Sequence, residues 1–153
     1  MGKAELLRIP LFNIFFKKMN IAVNRSSITD SHKAFKRAAS DLSKGISLAI
    51  FPEATIPSCA PELGPFKNGA FKLAIEKQVP IVPITYLDNW SIFPDAKGCH
   101  SLVRPGISRI IVHTPIPTTG MNDDDSSALR KQVYNIINDT LTKYDSIKKS
   151  CNV

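Results

Sequence analysis

Charged and hydroxyl side chains stand at the ends of predicted strands and at the start of a predicted helix. Arg25 follows one such strand, Glu53 and Thr55 follow the next, and Lys67 begins a helix. In open α/β sheets ligands bind beyond the carboxyl ends of the strands, so these groups would converge if the two strands are parallel neighbours. Two cations and a helix N-terminus predict a phosphate site, and Gly69 would let the backbone approach the ligand closely.

Each of these residues also has a purely structural interpretation. Arg25 could pair with Asp30 on the surface, and Lys67 could be a solvated residue in the first turn of its helix. Glu53 is harder to explain in this way, because a carboxylate at the rim of a sheet loses hydration unless it has a partner or a function.

The elements that would position these residues alternate between strand-like and helix-like segments, which favours an α/β fold. Apolar runs or alternating patterns predict strands at 19–23, 46–51, 81–86 and 107–113, the second of them buried and the last with alternating faces. Helical periodicity predicts helices at 31–44, 67–77 and 125–144. Thr29 or Ser31 would cap the first helix and Gly45 would end it. The last helix would turn five apolar residues inward: Leu129, Val133, Ile136, Ile137 and Leu141.

Composition limits the class of protein and its partners. A chain of 153 residues that is 43% hydrophobic has the size of one domain with a buried core. The net charge of +7 is typical either of a well-solvated surface or of a protein with an anionic partner, and membrane headgroups, phosphorylated small molecules and nucleic acid all remain open on charge alone. The apolar run 6–16 is too short to span a membrane and is typical either of an interfacial segment or of a core helix. Three distant cysteines without a secretory leader indicate a reduced, intracellular protein.

Four ordered sequence blocks resemble those of glycerolipid acyltransferases, and of the lysophosphatidic acid acyltransferases of bacterial type in particular. The blocks read VNRSS at 23–27, FPEAT at 51–55, FKNGAFKLA at 66–74 and VPIVPITY at 79–86. The resemblance covers nearly the whole chain and implies an α/β fold with a mixed sheet flanked by helices. It also implies that Arg25 and Lys67 bind the phosphate of the acyl acceptor, and that Glu53, Ala54, Thr55 and Gly69 belong to the same substrate-binding site.

Two features depart from the family pattern. The block that usually reads Glu-Gly-Thr-Arg has Ala54 in place of the glycine and Ile56 in place of the arginine. If the turn needs a positive φ at Ala54, alanine costs on the order of 1 kcal/mol there. We further expect Lys67 to replace the missing guanidinium charge.

The second departure is the missing general base. The family relies on a histidine followed five positions later by an aspartate. The residues five positions after the three histidines here are Arg37, Pro105 and Thr118, so none fits. No catalytic residue is therefore assigned: His32 and His100 are expected at the surface, and His113 in a structural role. Because the family's motif lies upstream of the first block, we expect residues 1–153 to form the C-terminal portion of one acyltransferase domain whose catalytic N-terminal segment is missing.

The resemblance implies acyl transfer from acyl-CoA or acyl carrier protein to 1-acylglycerol 3-phosphate at the cytoplasmic side of the membrane, with no metal or prosthetic group. The isolated chain is expected to be inactive for want of the histidine. A noncatalytic module that binds anionic lipid or phosphate is the alternative. A nucleic-acid binder is disfavoured, because the aromatic residues lie in apolar runs and are not interleaved with Lys and Arg.

Overall fold

A computed structural model describes residues 2–3, 14, 21–23, 28–55, 62–92 and 105–151. The chain divides into two compact units, Met1–Phe51 and Pro52–Val153, and each is described by itself. The expectation of one domain over residues 1–153 stays a prediction.

In its described residues the first unit contains a short parallel sheet and an amphipathic helix. Strand β1 (Gly2–Lys3) pairs with β2 (Ala22–Val23), which lies within the predicted strand 19–23. Helix α1 (Ile28–Ser43) confirms the predicted helix, and its buried face contains Ala34 and Ala38. The predicted caps Thr29 and Ser31 are wrong, because the helix begins at Ile28 and both residues lie inside it.

The end of α1 is where the sequence predicts it. Gly45 has a φ of +79°, a left-handed conformation that glycine adopts without steric cost. The N–H groups of Gly45 and Ile46 donate to the carbonyls of Leu42 and Asp41, at 2.9 and 3.0 Å. This pair of hydrogen bonds is a Schellman motif, and it satisfies carbonyls that the last helical turn leaves free.

The predicted burial of the strand 46–51 is wrong at both of its ends. Residues 46–51 form no β-bridge with another described residue, and Ile46 and Phe51 have 51% and 66% of their surfaces exposed. A short apolar run becomes a strand only where a neighbouring strand supplies a hydrogen-bonding ladder. In the part of the chain that the structure describes, β1 and β2 pair with each other and no strand pairs with this run.

The second unit is built on a short helix packed against a long one. Helix α2 (Gly69–Glu76) confirms the helix predicted at 67–77, although it is shorter at both ends. Asp123–Asp125 form a single 3₁₀ turn that leads into the long helix Ser126–Cys151. This long helix corresponds to the helix predicted at 125–144. The buried core between the helices comprises Phe66, Phe71, Ile75, Ile116, Leu129 and Val133. The inward positions predicted for the long helix are confirmed, since Leu129, Val133 and Leu141 are buried and Ile136 and Ile137 are half-buried.

The same unit has a two-stranded antiparallel sheet. Strand β3 (Ile84–Tyr86) pairs with β4 (Ile110–Val112), with Thr85 opposite Ile111, and Ile81 forms a bridge with Ile116. These strands confirm the cores of the segments predicted at 81–86 and 107–113. A short helix, α3 (Asn89–Ile92), follows β3, and the long helix Ser126–Cys151 is therefore α4.

The predicted alternation of buried and exposed faces in β4 is wrong, because all three of its residues are exposed. On β3 the buried residue is the polar Thr85, whose hydroxyl lies 2.8 Å from Nε2 of His113. A two-stranded sheet offers little surface for a core, so the apolar pattern of β4 alone does not determine which face is covered.

A buried carboxylate joins this sheet to the end of α4. Asp88, only 3% exposed, accepts hydrogen bonds from Nε and Nη2 of Arg109 at 2.8 and 3.0 Å. The hydroxyl of Tyr144 donates to the same carboxylate at 3.0 Å, and the guanidinium of Arg109 lies 5.0 Å from the centre of the Tyr144 ring. The hydrogen bonds that Arg109 donates to Asp88 raise the pKa of Arg109. The charge of Asp88 is therefore fully compensated, as a buried carboxylate requires.

The described helices lack the combination of length and apolar composition that a membrane span needs.

Candidate functional site

The turn that contains Glu53 is held against the start of α2 by two hydrogen bonds. The backbone N–H of Lys67 donates to the carbonyl of Pro52 at 2.8 Å. The backbone N–H of Gly64 donates to Oε2 of Glu53, also at 2.8 Å. The turn 52–55 and the segment 64–67 therefore lie side by side, as the sequence predicts. They are joined by loop contacts, however, and not by the ends of parallel strands.

Ala54 at the centre of this turn has a φ of +59°. This is the left-handed region, where the Cβ of an L-residue crowds the following carbonyl. The condition under which alanine is costly here, a positive φ at Ala54, is thus met. The family's usual glycine would adopt this conformation without strain, whereas the alanine does not.

The carboxylate of Glu53 is half-buried, and this position affects its ionisation. Desolvation raises the pKa of Glu53, because burial disfavours the charged form, and the hydrogen bond from Gly64 opposes the rise in part. Carboxyl groups with a raised pKa are typical of functional sites, but they also occur in turns that have only a structural role.

Lys67 and the start of α2 present positive charge beside the turn. Lys67 is exposed, and its ammonium forms no ion pair with any described residue. Asn68 is the N-cap of α2, but its side chain makes no capping hydrogen bond. Within the described part of the chain, the N–H groups of Gly69 and Ala70 have no acceptor. An anion placed here would receive donors that the helix itself leaves unsatisfied.

Phe66 fixes the position of Lys67. Its ring is buried, stacks at 6.4 Å on Phe71 and meets the ring of Tyr134 edge-on at 5.1 Å. The residue just before the candidate phosphate ligand is therefore part of the core. As a result the backbone at Lys67 cannot shift unless this cluster of rings is disturbed.

The structure thus brings four of the predicted site residues together with the start of α2. Glu53, Ala54 and Thr55 share the turn, and Lys67 is bonded to it through Pro52. One correction concerns Lys67, which precedes the N-cap and so lies outside the first turn of the helix.

Gly69 is the first residue of α2. Arg25 lies outside the described residues, as do His100 and all but Ile14 of the apolar run 6–16. His32 is exposed, as expected. The roles of the site residues in substrate binding stay a prediction.

Sequence reasoning missed two residues that build the site. Gly64 supplies the N–H that holds Glu53, and Phe66 anchors the segment before Lys67. The sequence signal that could have indicated the anchor is the presence of Phe66 and Phe71 on either side of the helix start, although they do not occupy the N′ and N4 positions of a hydrophobic staple. No sequence signal indicates the hydrogen bond from Gly64, because any residue but proline has an N–H to donate.

Comparison with known proteins connects this arrangement with acyltransferases. Residues 1–87 match the acyltransferase family model. An uncharacterized acyltransferase of Schizosaccharomyces pombe is 32% identical over 152 residues, which cover 97% of this chain and 53% of the yeast protein. A chloroplastic 1-acyl-sn-glycerol-3-phosphate acyltransferase of Brassica napus is 34% identical over 116 residues, which cover 75% of this chain and 33% of the plant protein.

A solved structure extends the likeness to the fold. The crystal structure of the 1-acyl-sn-glycerophosphate (LPA) acyltransferase PlsC from Thermotoga maritima superposes with a TM-score of 0.74 at 22% identity. The match covers 96% of this chain and 55% of the bacterial one. The chain therefore spans about half the length of the bacterial and yeast proteins and about a third of the plant protein. The expected α/β fold of the glycerolipid acyltransferases, with a mixed sheet flanked by helices, is thereby confirmed. The match to the family model, together with the yeast relative, shows that the chain belongs to the acyltransferase family.

Proposed function

We propose that this chain forms the acceptor-binding part of a 1-acylglycerol-3-phosphate acyltransferase. In the proposed reaction a free hydroxyl of 1-acylglycerol 3-phosphate attacks the carbonyl carbon of an acyl thioester. The new C–O ester bond forms and the C–S bond breaks, so that the products are phosphatidic acid and a free thiol. The proton of the attacking hydroxyl passes through a general base to the leaving sulfur.

The observation that carries this proposal is the hydrogen bond from the N–H of Lys67 to the carbonyl of Pro52. It places the backbone of Lys67 and the start of α2 beside the Glu53 turn, and within the described residues neither the Lys67 ammonium nor the first N–H groups of α2 have a partner. A phosphate monoester suits this set, because it is a dianion with several acceptor oxygens. Arg25 is proposed as a second phosphate ligand and Thr55 as a residue that shapes the acceptor pocket. The names of the plant and bacterial relatives support this choice of acceptor.

The general base is proposed to lie outside these 153 residues. No histidine of the chain is followed by an aspartate five positions later. Loss of a general base reduces the rate by about 10²- to 10⁴-fold, so we expect negligible acyl transfer by the isolated chain.

The donor is proposed to be acyl-CoA or acyl carrier protein, and the site of action the cytoplasmic surface of the membrane. The reaction needs no metal or prosthetic group, because the thioester already carries an activated acyl group. Nucleic acid is not an expected partner.

The acceptor proposal is tested by titrating a short-chain, soluble 1-acylglycerol 3-phosphate into the chain by calorimetry. Lys67→Ala should weaken binding about 10-fold or more, since a charge-assisted hydrogen bond contributes about 1.5–3 kcal/mol. Lys72→Ala is the matched control, because Lys72 is also exposed on this part of the chain but already lies 3.9 Å from Asp123. Equal affinities for Lys67→Ala and the unmodified chain would overturn the assignment of Lys67.

A noncatalytic phosphate- or anionic-lipid-binding module is the second candidate, and the lack of a fitting histidine favours it. The two candidates are separated by the DNA upstream of the Met1 codon, read in the same frame. An open frame that encodes His-x-x-x-x-Asp would support the enzyme, and the longer product should then convert acyl-CoA and the lysolipid to phosphatidic acid. A stop codon directly upstream, together with binding and no turnover, would support the module.

A further inference from the structure

An open groove of about 770 Å³ lies on the second unit, between the segment 62–66 and the first turns of α4. We call it the loop–helix groove, and its principal lining residues are Leu63, Pro65, Ala128, Arg130, Lys131 and Tyr134. None of the residues that line it is acidic. Lys67 does not line it, although its neighbour Phe66 does.

The two cations of the groove have no carboxylate partner within ion-pair distance among the described residues. Arg130 is half-buried and directs one N–H towards the carbonyl of Phe66, at 3.5 Å. Lys131 is exposed. Neither cation forms an ion pair with a described residue. Two adjacent cations without a carboxylate partner favour an anionic ligand.

The apolar surface of the groove suits an alkyl chain better than a planar base. Leu63, Pro65 and Ala128 present aliphatic surface. The ring of Phe66 is stacked on Phe71 and meets Tyr134 edge-on, and it is only 6% exposed. It therefore has no free face on which a nucleotide base could stack.

We propose that the loop–helix groove binds an anionic phospholipid of the membrane surface. Arg130 and Lys131 contact the phosphate, and the upper part of one acyl chain lies along the aliphatic wall formed by Leu63, Pro65 and Ala128. The charge complementarity and the apolar lining both point to this amphiphile. The inference does not depend on acyl transfer, since none of the residues that carry it is a proposed ligand of the acyl acceptor. It adds a lipid contact that would hold the segment 62–66, and with it Gly64 and the Glu53 turn, at the membrane surface.

Co-sedimentation with vesicles tests the proposal, using phosphatidylcholine with and without phosphatidylglycerol. Ala128 is exposed in the first turn of α4, where glutamate is well tolerated because it lies near the positive end of the helix. Ala128→Glu places a negative charge in the groove, and Ala128→Gln adds the same bulk without charge. We expect Ala128→Glu to bind phosphatidylglycerol vesicles about 5-fold more weakly than Ala128→Gln, from about 1 kcal/mol per charge at an anionic surface. Equal binding by the two variants would overturn the proposal.

A charge-matched pair of double variants distinguishes the groove from the general charge of the protein. Arg130→Gln with Lys131→Gln should weaken vesicle binding about 30-fold, from about 1 kcal/mol for each of two cations. Lys33→Gln with Lys36→Gln removes the same charge from the exposed face of α1 and should have a much smaller effect. An equal loss in both would show that net charge alone drives binding and would overturn the proposal.

Two further measurements separate this site from the acceptor site. Soluble glycerol 3-phosphate should not release the chain from vesicles. If millimolar glycerol 3-phosphate did release it, the groove would be a site for free phosphate and the lipid proposal would be overturned. Lys67→Ala should weaken lysolipid binding more than vesicle binding, and Arg130→Gln with Lys131→Gln should do the reverse; the same order in both variants would overturn the assignment of two sites. Circular dichroism of each variant verifies that the fold is retained.

Discussion

Replacing Ala54 by glycine should stabilise the protein. Ala54 has a φ of +59°, and the left-handed conformation costs a non-glycine residue about 1–2 kcal/mol. Glycine removes this strain but adds about 0.4–1 kcal/mol of chain entropy to the unfolded state. The net expectation for Ala54→Gly is therefore a gain of about 1 kcal/mol in the free energy of unfolding, or about 2–4 °C in Tm for a chain of this size.

The assay is urea unfolding followed by tryptophan fluorescence. Trp90 is the only tryptophan of the chain and lies in the same unit as Ala54, so its signal reports the unfolding of that unit. Ala70→Gly is the matched control, because Ala70 is also half-buried but lies within α2, where glycine should cost about 0.5–1 kcal/mol. The two substitutions have the same chemistry and opposite expected signs. A loss of stability in Ala54→Gly equal to that in Ala70→Gly would refute the argument from strain.

Three further substitutions test other parts of the second unit. Glu53→Gln keeps an oxygen that accepts the hydrogen bond from the Gly64 N–H but removes the carboxyl group that titrates. Because desolvation raises the pKa of Glu53 above 4.5, the folded state binds the proton more tightly than the unfolded state, and the stability of the wild type falls as pH rises through that raised pKa. The free energy of unfolding of Glu53→Gln, measured in urea titrations, should therefore increase relative to that of the wild type between pH 4 and pH 7. A difference between the two proteins that does not change with pH would contradict this. Phe66→Ala should cost about 3–5 kcal/mol of stability and, by loosening the start of α2, should weaken lysolipid binding in calorimetry as well. Tyr144→Phe removes one hydrogen bond to the buried Asp88 and should lower the free energy of unfolding by about 1–2 kcal/mol. Tyr134→Phe is the control, because the hydroxyl of Tyr134 has no partner within the described residues, and it should leave the midpoint of urea unfolding unchanged.

The features that the sequence predicted well depend on interactions between residues close in the chain. The end of α1 at Gly45 and the inward face of α4 are examples. A glycine after an amphipathic stretch and a 3.6-residue apolar period each carry their physical cause within a few residues. The strain at Ala54 belongs to the same class, because the turn type depends on the local backbone.

The features that the sequence predicted wrongly depend on partners distant in the chain. The run 46–51 has the apolar composition of a buried strand, but its conformation depends on a pairing partner that composition cannot identify. The faces of β4 depend likewise on what packs against the sheet. Sequence patterns therefore located the strands β3 and β4 and did not determine their burial.

The candidate site shows how a correct grouping of residues followed from a partly wrong structural premise. Strand ends at one edge of a sheet were expected to bring Glu53 and Lys67 together, yet the supposed strand before Glu53 is irregular in the structure. The two residues are nevertheless neighbours, because the turn and the segment before α2 exchange hydrogen bonds through Pro52 and Gly64. Such contacts use backbone groups that every sequence possesses, so they constrain position without leaving a pattern in the sequence. The resemblance to a family supplied the grouping, and the structure supplies its physical cause: a strained turn, anchored beside a helix start that Phe66 fixes in the core.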